Sequence, residues 1–178
     1  MVIDNFLDTE SFREIQTTLL STEIHWHYQD FLGVSDERYE IDKKTQHQNS
    51  QFYFSHGFYE GYTWVSPLAR VLEPLLEKIK PVCILNIRAN LVTKTNEIIE
   101  GSFHSDLKGL IPDEHKLKQW TTSIFYINDT NGYTKLLDGT IIECKANRLL
   151  TMSSDTEHLG ATCTDQKRRV VINLNYFS

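Results

Sequence analysis

The sequence predicts a mainly β domain, a double-stranded antiparallel barrel backed by helices near its N-terminal end. Two helical patterns fall in the first eighty residues, whereas from Pro81 onward the hydrophobic pattern changes to the period of two that β-strands show. Turn signals such as Asp138-Gly139 separate the later strands at short intervals. Short strands at regular spacing, with helices confined to one end of the chain, are typical of a barrel covered by helices.

Length, charge and composition narrow the class of protein. With 178 residues, of which 40% are hydrophobic, the chain can bury a substantial core as one domain. The formal net charge of −6 disfavours general binding to nucleic acid or to a membrane surface. The N-terminus lacks a signal-peptide pattern, and no apolar run approaches the ~18 residues of a membrane span. We therefore expect a cytoplasmic protein whose three scattered cysteines are reduced.

Both predicted helices should pack against the sheet. The first covers about residues 9–21, where apolar residues recur at helical spacing after a capping residue. The second begins at Ser66-Pro67, an N-cap followed by proline at the first helical position, and should bend at Pro74. Between the two helices, the polar region 36–50 has no periodicity, which predicts a long loop of the kind that often forms a lid.

The strand predicted over 82–91 has a polar face and an apolar face. Its polar face either lines a cavity or meets solvent, and the sequence leaves both possibilities open; the residues on it are Asn86, Arg88 and Asn90. An Asn131-Gly132 pair later in the chain is a hairpin signal. Further strands are predicted over 52–54, 121–128, 140–142, 147–152 and 169–177.

One short stretch carries metal-binding chemistry. His104 and Asp106 are separated by one residue, so on a β-strand both side chains project from the same face. His158 follows at a distance, and Arg168-Arg169 opens the last strand. A His-x-Asp pair, a distant histidine and an arginine at a strand start fit the two-histidine, one-carboxylate ligand set of non-haem Fe(II) sites.

From about residue 82 to residue 177, the sequence resembles the Fe(II)- and 2-oxoglutarate-dependent dioxygenases, in particular the prolyl-hydroxylase-like branch and its compact microbial and phage members. The matching segments occur in the order of the family, namely 103–106, 122–128, 132–134, 147–150, His158 and 169–177. The resemblance implies one domain over 1–178. Residues 1–80 would be a helical support and lid region, and residues 82–177 a double-stranded β-helix, also described as a distorted jelly-roll or cupin-like barrel.

The resemblance also implies an activity. His104, Asp106 and His158 would bind Fe(II), leaving positions for 2-oxoglutarate and O2. The expected reaction is hydroxylation of a peptidyl residue such as proline, or of a small molecule, with release of succinate and CO2. The substrate would thus be an unidentified protein, peptide or small molecule; neither a membrane nor a nucleic acid is expected as a partner, and no oligomeric state is indicated. The alternative is a cupin-like metal-binding barrel that acts as a non-catalytic binding or sensor module.

Two residues are implied to hold the far carboxylate of 2-oxoglutarate. Arg169 matches the arginine of the closing family segment, which ends on an aromatic residue, here Phe177; Arg168 would then face outward. Arginine suits this task because its planar guanidinium pairs with a carboxylate through two hydrogen bonds. Tyr126 occupies the position where related enzymes place a tyrosine hydroxyl on the same carboxylate.

Three more residues are implied to line the cosubstrate site. Asn173 shares a strand face with Arg169, and Asn90, with Arg88 behind it, occupies the place where the family often has a tyrosine. Substrate specificity would lie in the segments 29–50, 93–101 and 108–118.

Overall fold

The structure is a computed structural model that describes residues 1–30 and 52–178. The predicted loop over 36–50 lies outside the described residues. The strands are β1 (Val2–Ile3), β2 (His27–Gln29), β3 (Tyr53–Glu60), β4 (Thr63–Trp64), β5 (Cys83–Thr93), β6 (Trp120–Tyr126), β7 (Tyr133–Leu136), β8 (Ile141–Glu143), β9 (Arg148–Ser153), β10 (His158–Gly160) and β11 (Arg168–Phe177). The helices are α1 (Thr9–Leu20), a 3-10 helix (Ala69–Leu72), α2 (Glu73–Ile79) and α3 (Glu114–Leu117).

Within the described residues, the strands form two antiparallel sheets. The large sheet has the order β1-β9-β6-β11-β5-β3-β2, with β4 paired to β3, and the small sheet has the order β10-β7-β8. The predicted class, a double-stranded β-helix or distorted jelly-roll barrel with helices on one side, is confirmed. The first eighty residues contribute strands as well as helices, because β3 pairs with β5 and extends the large sheet.

The outer face of the large sheet carries the main hydrophobic core. Alternate residues of β5, β6 and β11 point to this face, among them the fully buried Ala89, Phe125 and Ile172. The helices cover it, and the Phe12 ring of α1 meets the Phe125 ring edge to face with centroids 5.9 Å apart. The other face of the same strands is therefore free to form a cavity with the small sheet.

The first predicted helix is confirmed as α1. Asp8 caps it, because its Oδ1 accepts hydrogen bonds from the backbone N–H groups of Glu10 and Ser11, each at 3.0 Å. Ile15 and Leu19 are the residues it buries. None of the helices in the described part of the chain is both long and apolar enough to cross a membrane.

The second predicted helix is divided into two pieces. A 3-10 helix comes first, and α2 begins at Glu73 with Pro74 in its first turn. Proline has no N–H to donate to the preceding turn, so an α-helix can start at Pro74 but cannot run through it. The expectation that helices are confined to the first eighty residues is also wrong, because the one-turn helix α3 lies within the 108–118 segment.

The Asn131-Gly132 pair does not form the expected hairpin. Its flanking strands β6 and β7 lie in different sheets, and Asn131 instead exchanges hydrogen bonds with Thr164. Gly132 is required for close approach, since a Cβ there would lie 2.6 Å from the Thr162 carbonyl oxygen and 2.9 Å from Arg169 Cδ. Tertiary packing thus overrides the local turn signal. The hairpin signal at Asp138-Gly139 does join β7 and β8.

Candidate active site

Residues of both sheets line a cavity of about 750 Å³. The β5 positions that face it alternate with the core positions of the same strand, so the polar row predicted over 82–91 lines the cavity rather than facing bulk solvent. This resolves the alternative that the sequence left open. The same cavity contains His104, Asp106, His158 and Arg169.

The structure brings the three predicted metal ligands together. The ligand atoms of His104, Asp106 and His158 all lie within 4.8 Å of one another. Asp106 Oδ1 lies 3.4 Å from His104 Nε2 and 3.6 Å from His158 Nε2. The backbones of the two histidines pair directly, with N–H···O distances of 3.0 and 2.9 Å in the two directions. This isolated bridge holds His104 beside β10, and Asp106 follows two residues later in a turn. The β-strand predicted to carry both ligands is therefore not formed, and the bridge and the turn bring them together instead.

The hydrogen bonds of the two imidazoles favour metal binding. His104 Nδ1 lies 3.0 Å from the Ser102 carbonyl oxygen, and His158 Nδ1 lies 3.1 Å from that of Thr156. Because a carbonyl oxygen can only accept, each Nδ1 must carry a hydrogen, and the lone pair of a neutral ring then lies on Nε2. Both Nε2 atoms converge on the same carboxylate oxygen. The donor set of two nitrogens and one oxygen fits a divalent ion such as Fe(II).

Burial and mutual contact set the ionisation of the cluster. Burial opposes ionisation of Asp106, but its contacts with His104, His158 and Asn175 outweigh burial and keep the pKa of Asp106 below its usual value. Burial lowers the pKa of His158. At His104 burial acts in the same direction, but the contact with Asp106 outweighs it and raises the pKa. An ionised Asp106 and a neutral His158 are the forms that a metal ion requires.

Asn175 supports Asp106, and the sequence did not reveal this contact. Its Nδ2 donates to Asp106 Oδ2 at 3.3 Å, while its Oδ1 accepts from Thr122 Oγ1 at 2.8 Å. Thr122 is in turn hydrogen-bonded to Ser154 at 2.8 Å. This series of hydrogen bonds fixes the orientation of the Asp106 carboxylate. The alternation of β11 places Asn175 on the Arg169 face and was the only signal in the sequence.

Asn175→Ala should weaken metal binding because it removes the amide that orients Asp106. Loss of an outer partner of a metal ligand costs about 10- to 100-fold in affinity. Competition titration of Zn(II) against a chelator measures the effect. Asn96→Ala, at an exposed loop position, is the matched control and should bind Zn(II) like the wild type. Equal affinity in both variants would show that Asn175 does not position the carboxylate.

Arg169 lies at the other end of the cavity. Its side chain is buried at 3% exposure, and its Nη2 donates to Thr134 Oγ1 at 3.1 Å. Its Nε is buried without a hydrogen-bond partner, and no ion pair among the described residues involves it. Arg168 points to the opposite face of the sheet, where it donates to the Leu20 carbonyl oxygen of α1. Arg169 is therefore a buried cation that has no anionic partner among the described residues.

Thr134 lines this end of the cavity, whereas Tyr126 is fully buried and is not among the lining residues. The Tyr126 hydroxyl donates to Thr134 Oγ1 at 2.8 Å, and the Arg169 guanidinium carbon lies 5.7 Å from the centre of the Tyr126 ring. Burial raises the pKa of Tyr126 to about 12, so the phenol keeps its proton and acts as a donor. Thr134 Oγ1 accepts two hydrogen bonds, and its own hydrogen remains to donate to a ligand in the cavity.

The remaining predicted site residues lie on neighbouring strands of the large sheet. Arg88 and Asn90 of β5 and Asn173 of β11 all line the cavity. Arg88 lies opposite Asn173 in the β5–β11 register, whereas Arg169 lies opposite Val92. Their role in holding a cosubstrate stays a prediction. Thr134 was not singled out by the sequence, although it lies in a segment that resembles the family.

No protein-family model and no curated protein matches the chain. Solved structures, in contrast, do match the chain. A prolyl hydroxylase from Trichoplax adhaerens, in complex with a hypoxia inducible factor oxygen degradation domain peptide fragment, matches with a TM-score of 0.65 and 14% identity over 99% of this chain and 82% of that chain.

Two further structures are similar to the same extent. One is an oxidoreductase of the 2OG-Fe(II) oxygenase family from Burkholderia pseudomallei, with a TM-score of 0.66 and 10% identity over 99% of this chain and 84% of that chain. The other is HygX from Streptomyces hygroscopicus with nickel and 2-oxoglutarate bound, with a TM-score of 0.62 and 10% identity over 99% and 82% of the two chains. The chain thus has the double-stranded β-helix fold of these oxygenases.

Proposed function

We propose that this chain is an Fe(II)- and 2-oxoglutarate-dependent oxygenase that hydroxylates an unactivated C–H bond. The observation that carries the proposal is the pairing, in one cavity, of a His-Asp-His cluster with a buried arginine that has no anionic partner among the described residues. A metal-binding barrel that acts as a binding or sensor module does not need the arginine. A dicarboxylate cosubstrate needs both the metal cluster and the arginine.

The energetic cost of Arg169 supports an anionic ligand. A buried charge without a partner is strongly destabilising, and an unsatisfied buried donor alone costs about 1–3 kcal/mol. Proteins keep such a group where a ligand supplies the counter-charge. A carboxylate could accept from the guanidinium and from the spare Thr134 hydrogen at once, with Tyr126 holding Thr134 in place.

The metal end of the cavity fits Fe(II) on the chemistry of its donors. His104, Asp106 and His158 would hold the ion, and Asn175 would orient the carboxylate. When bound, Fe(II) and 2-oxoglutarate supply the O2-dependent oxidation that hydroxylates the substrate and releases succinate and CO2. The residues of the protein would position the metal ion and the cosubstrate. They would hold both ends of the cosubstrate, and burial keeps the Tyr126 phenol in its donating form.

The test is succinate formation from 2-oxoglutarate under air with Fe(II) and ascorbate, alongside binding of 2-oxoglutarate to the metal-loaded protein. We expect cosubstrate binding and a slow, Fe(II)-dependent formation of succinate even without substrate. His158→Ala should abolish the turnover. Metal binding without any 2-oxoglutarate binding would contradict the proposal and favour the binding or sensor module.

Thr134→Val should weaken 2-oxoglutarate binding about tenfold. The substitution keeps the shape of the side chain but removes the hydroxyl that meets Arg169 and Tyr126, and a hydrogen bond to a charged group contributes about 1.5–3 kcal/mol. Thr134→Ser retains the hydroxyl and should bind within a few-fold of wild type. Calorimetric titration of the Zn(II)-loaded protein measures both. Loss of affinity in the serine variant to the same extent would point to packing and not to the hydroxyl.

The predicted substrate is a peptidyl residue such as proline, or a small molecule. The prolyl hydroxylase among the similar structures binds a peptide. The predicted cytoplasmic location is part of the same proposal.

A further inference from the structure

Gly160 lies beside Arg169 in the wall of the cavity. It is the last residue of β10, where it pairs with Thr134 of β7, and both residues line the cavity. A Cβ on Gly160 would lie 3.5 Å from Arg169 Nη1. The Thr134 hydroxyl accepts a hydrogen bond from Nη2 of the same guanidinium. The small sheet thus meets Arg169 at one cross-strand pair, in which one residue offers a hydroxyl and the other has no side chain.

The backbone does not require a glycine at position 160. Gly160 is not among the described residues with a positive φ. The register between β10 and β7 runs through Gly160 without a bulge, and beyond it the Ala161 N–H donates to the Tyr133 carbonyl oxygen at 2.9 Å. Glycine in a strand is less stable than a residue with a side chain. Some requirement other than backbone conformation must therefore keep this position free.

Packing does not require the glycine either. Among the described residues, and apart from its own chain neighbours, the Cβ would have Arg169 Nη1 alone within 4 Å, at an ordinary contact distance. Gly132 shows the contrast, because a Cβ there would lie 2.6 Å from the Thr162 carbonyl oxygen. A glycine in a strand also marks a place where a ligand comes close to the backbone. Close approach of a ligand is the reason that is left for Gly160.

The guanidinium presents one free nitrogen to the cavity beside Gly160. Nη2 donates to Thr134, and Nε is fully enclosed without a partner. Nη1 makes no hydrogen bond to a described residue and is not among the enclosed unpaired atoms, so it keeps access to the cavity that Arg169 lines. An oxygen that accepts from a guanidinium lies about 2.7–2.9 Å from the nitrogen. A carbon 3.5 Å from the same nitrogen would compete with that oxygen for space.

We propose that Gly160 is a specificity-determining residue for the cosubstrate, because the space left by its missing side chain lets the far carboxylate of 2-oxoglutarate reach Arg169 Nη1. The inference rests on the proposed function, since it concerns the cosubstrate of that reaction. Arg169 supplies the charge that selects a dicarboxylate, and Gly160 supplies the room for it. A side chain at position 160 would remove the preference for a dicarboxylate without affecting the metal ligands.

The test compares two 2-oxo acids on the full chain loaded with Zn(II). 2-Oxobutyrate has the 2-oxo acid group of 2-oxoglutarate but lacks the far carboxylate. Titration calorimetry measures 2-oxoglutarate, and ligand-observed NMR measures the weaker 2-oxobutyrate. Gly160→Ala should weaken 2-oxoglutarate about 10- to 150-fold, the loss of a hydrogen bond to a charged group, and leave 2-oxobutyrate within about twofold of wild type. Gly160→Val should weaken 2-oxoglutarate at least as much.

Two results of these titrations would overturn the proposal. One is a 2-oxoglutarate affinity within about twofold of wild type in both variants. The other is an equal loss of affinity for the two acids, because such a loss does not depend on the far carboxylate.

Stability measurements separate a ligand role from a packing role. Gly160→Ala should leave the Zn(II) affinity unchanged and the melting temperature unchanged or higher, because its methyl group meets no backbone atom of another described segment. Gly132→Ala is the contrasting variant and should lower the melting temperature, since its Cβ collides with the Thr162 carbonyl oxygen. A fall in melting temperature that is as large in Gly160→Ala would show that Gly160 serves packing and would overturn the proposal.

The two proposals fail in different ways. If wild type binds 2-oxoglutarate in an Arg169-dependent manner and Gly160→Ala binds it equally well, the Gly160 assignment falls and the proposed function stands. If the Zn(II)-loaded wild type does not bind 2-oxoglutarate, the proposed function falls, and the Gly160 assignment falls with it.

Discussion

Arg169→Ala is expected to weaken 2-oxoglutarate binding about 150- to 4,000-fold. In the proposed site the guanidinium is the buried counter-charge for the far carboxylate, and removal of one partner of a buried charge pair costs about 3–5 kcal/mol. Affinity for Zn(II) should be unchanged, because the His-Asp-His cluster does not contact this residue. Calorimetric titrations of metal and of cosubstrate measure the two effects separately.

Two variants control this experiment. Arg168→Ala removes the same charge from the opposite face of the strand and should leave the 2-oxoglutarate affinity within about twofold of wild type. Arg169→Lys keeps the charge but loses the planar pair of donors, so an intermediate affinity is expected. If Arg168→Ala and Arg169→Ala weaken binding equally, the effect is one of net charge and the anchor assignment is wrong.

Asp106→Ala should abolish specific metal binding. Its Oδ1 is the atom closest to both imidazole nitrogens, so the variant loses the one anionic ligand of the cluster. We expect Zn(II) affinity to fall by more than the 10- to 100-fold that loss of an outer partner costs. Wild-type protein should also gain thermal stability with added metal, and the variant should not.

Asp138→Ala is the matched control for that loss. Asp138 lies on the exposed β7–β8 turn and accepts a hydrogen bond from the backbone of Thr140. Its variant should bind one metal ion with wild-type affinity. Retention of one tightly bound ion per chain in Asp106→Ala would show that the metal site lies elsewhere.

The sequence predicted those parts of the site that depend on local spacing or on the order of segments. The alternation of β5 correctly places Asn86, Arg88 and Asn90 on one face. The structure brings His104 and Asp106 together as expected, but the β-strand that was expected to carry both is wrong, because His104 makes only an isolated bridge and Asp106 lies in a turn. The fold followed from the change of hydrophobic period at Pro81. These features need no knowledge of which strands become neighbours.

The features that the sequence missed all depend on pairing between distant strands. Asn175 reaches Asp106 because of how β11 lies against the 104–106 segment, and Thr134 meets Arg169 across the two sheets. The Glu60–Arg88 pair depends on the β3–β5 register, which shifts just after Gly57. A hairpin signal fails at Gly132 for the same reason, since the position is used for close packing against Arg169.

An anaerobic titration shows whether one cavity binds Fe(II) and 2-oxoglutarate together. Fe(II)-loaded protein is titrated with 2-oxoglutarate while the weak visible charge-transfer band of a 2-oxo acid bound to Fe(II) is recorded. We expect the band to saturate at low cosubstrate concentration in wild type and to require about 150- to 4,000-fold more 2-oxoglutarate in Arg169→Ala. Iron binding with no band at any 2-oxoglutarate concentration would contradict it.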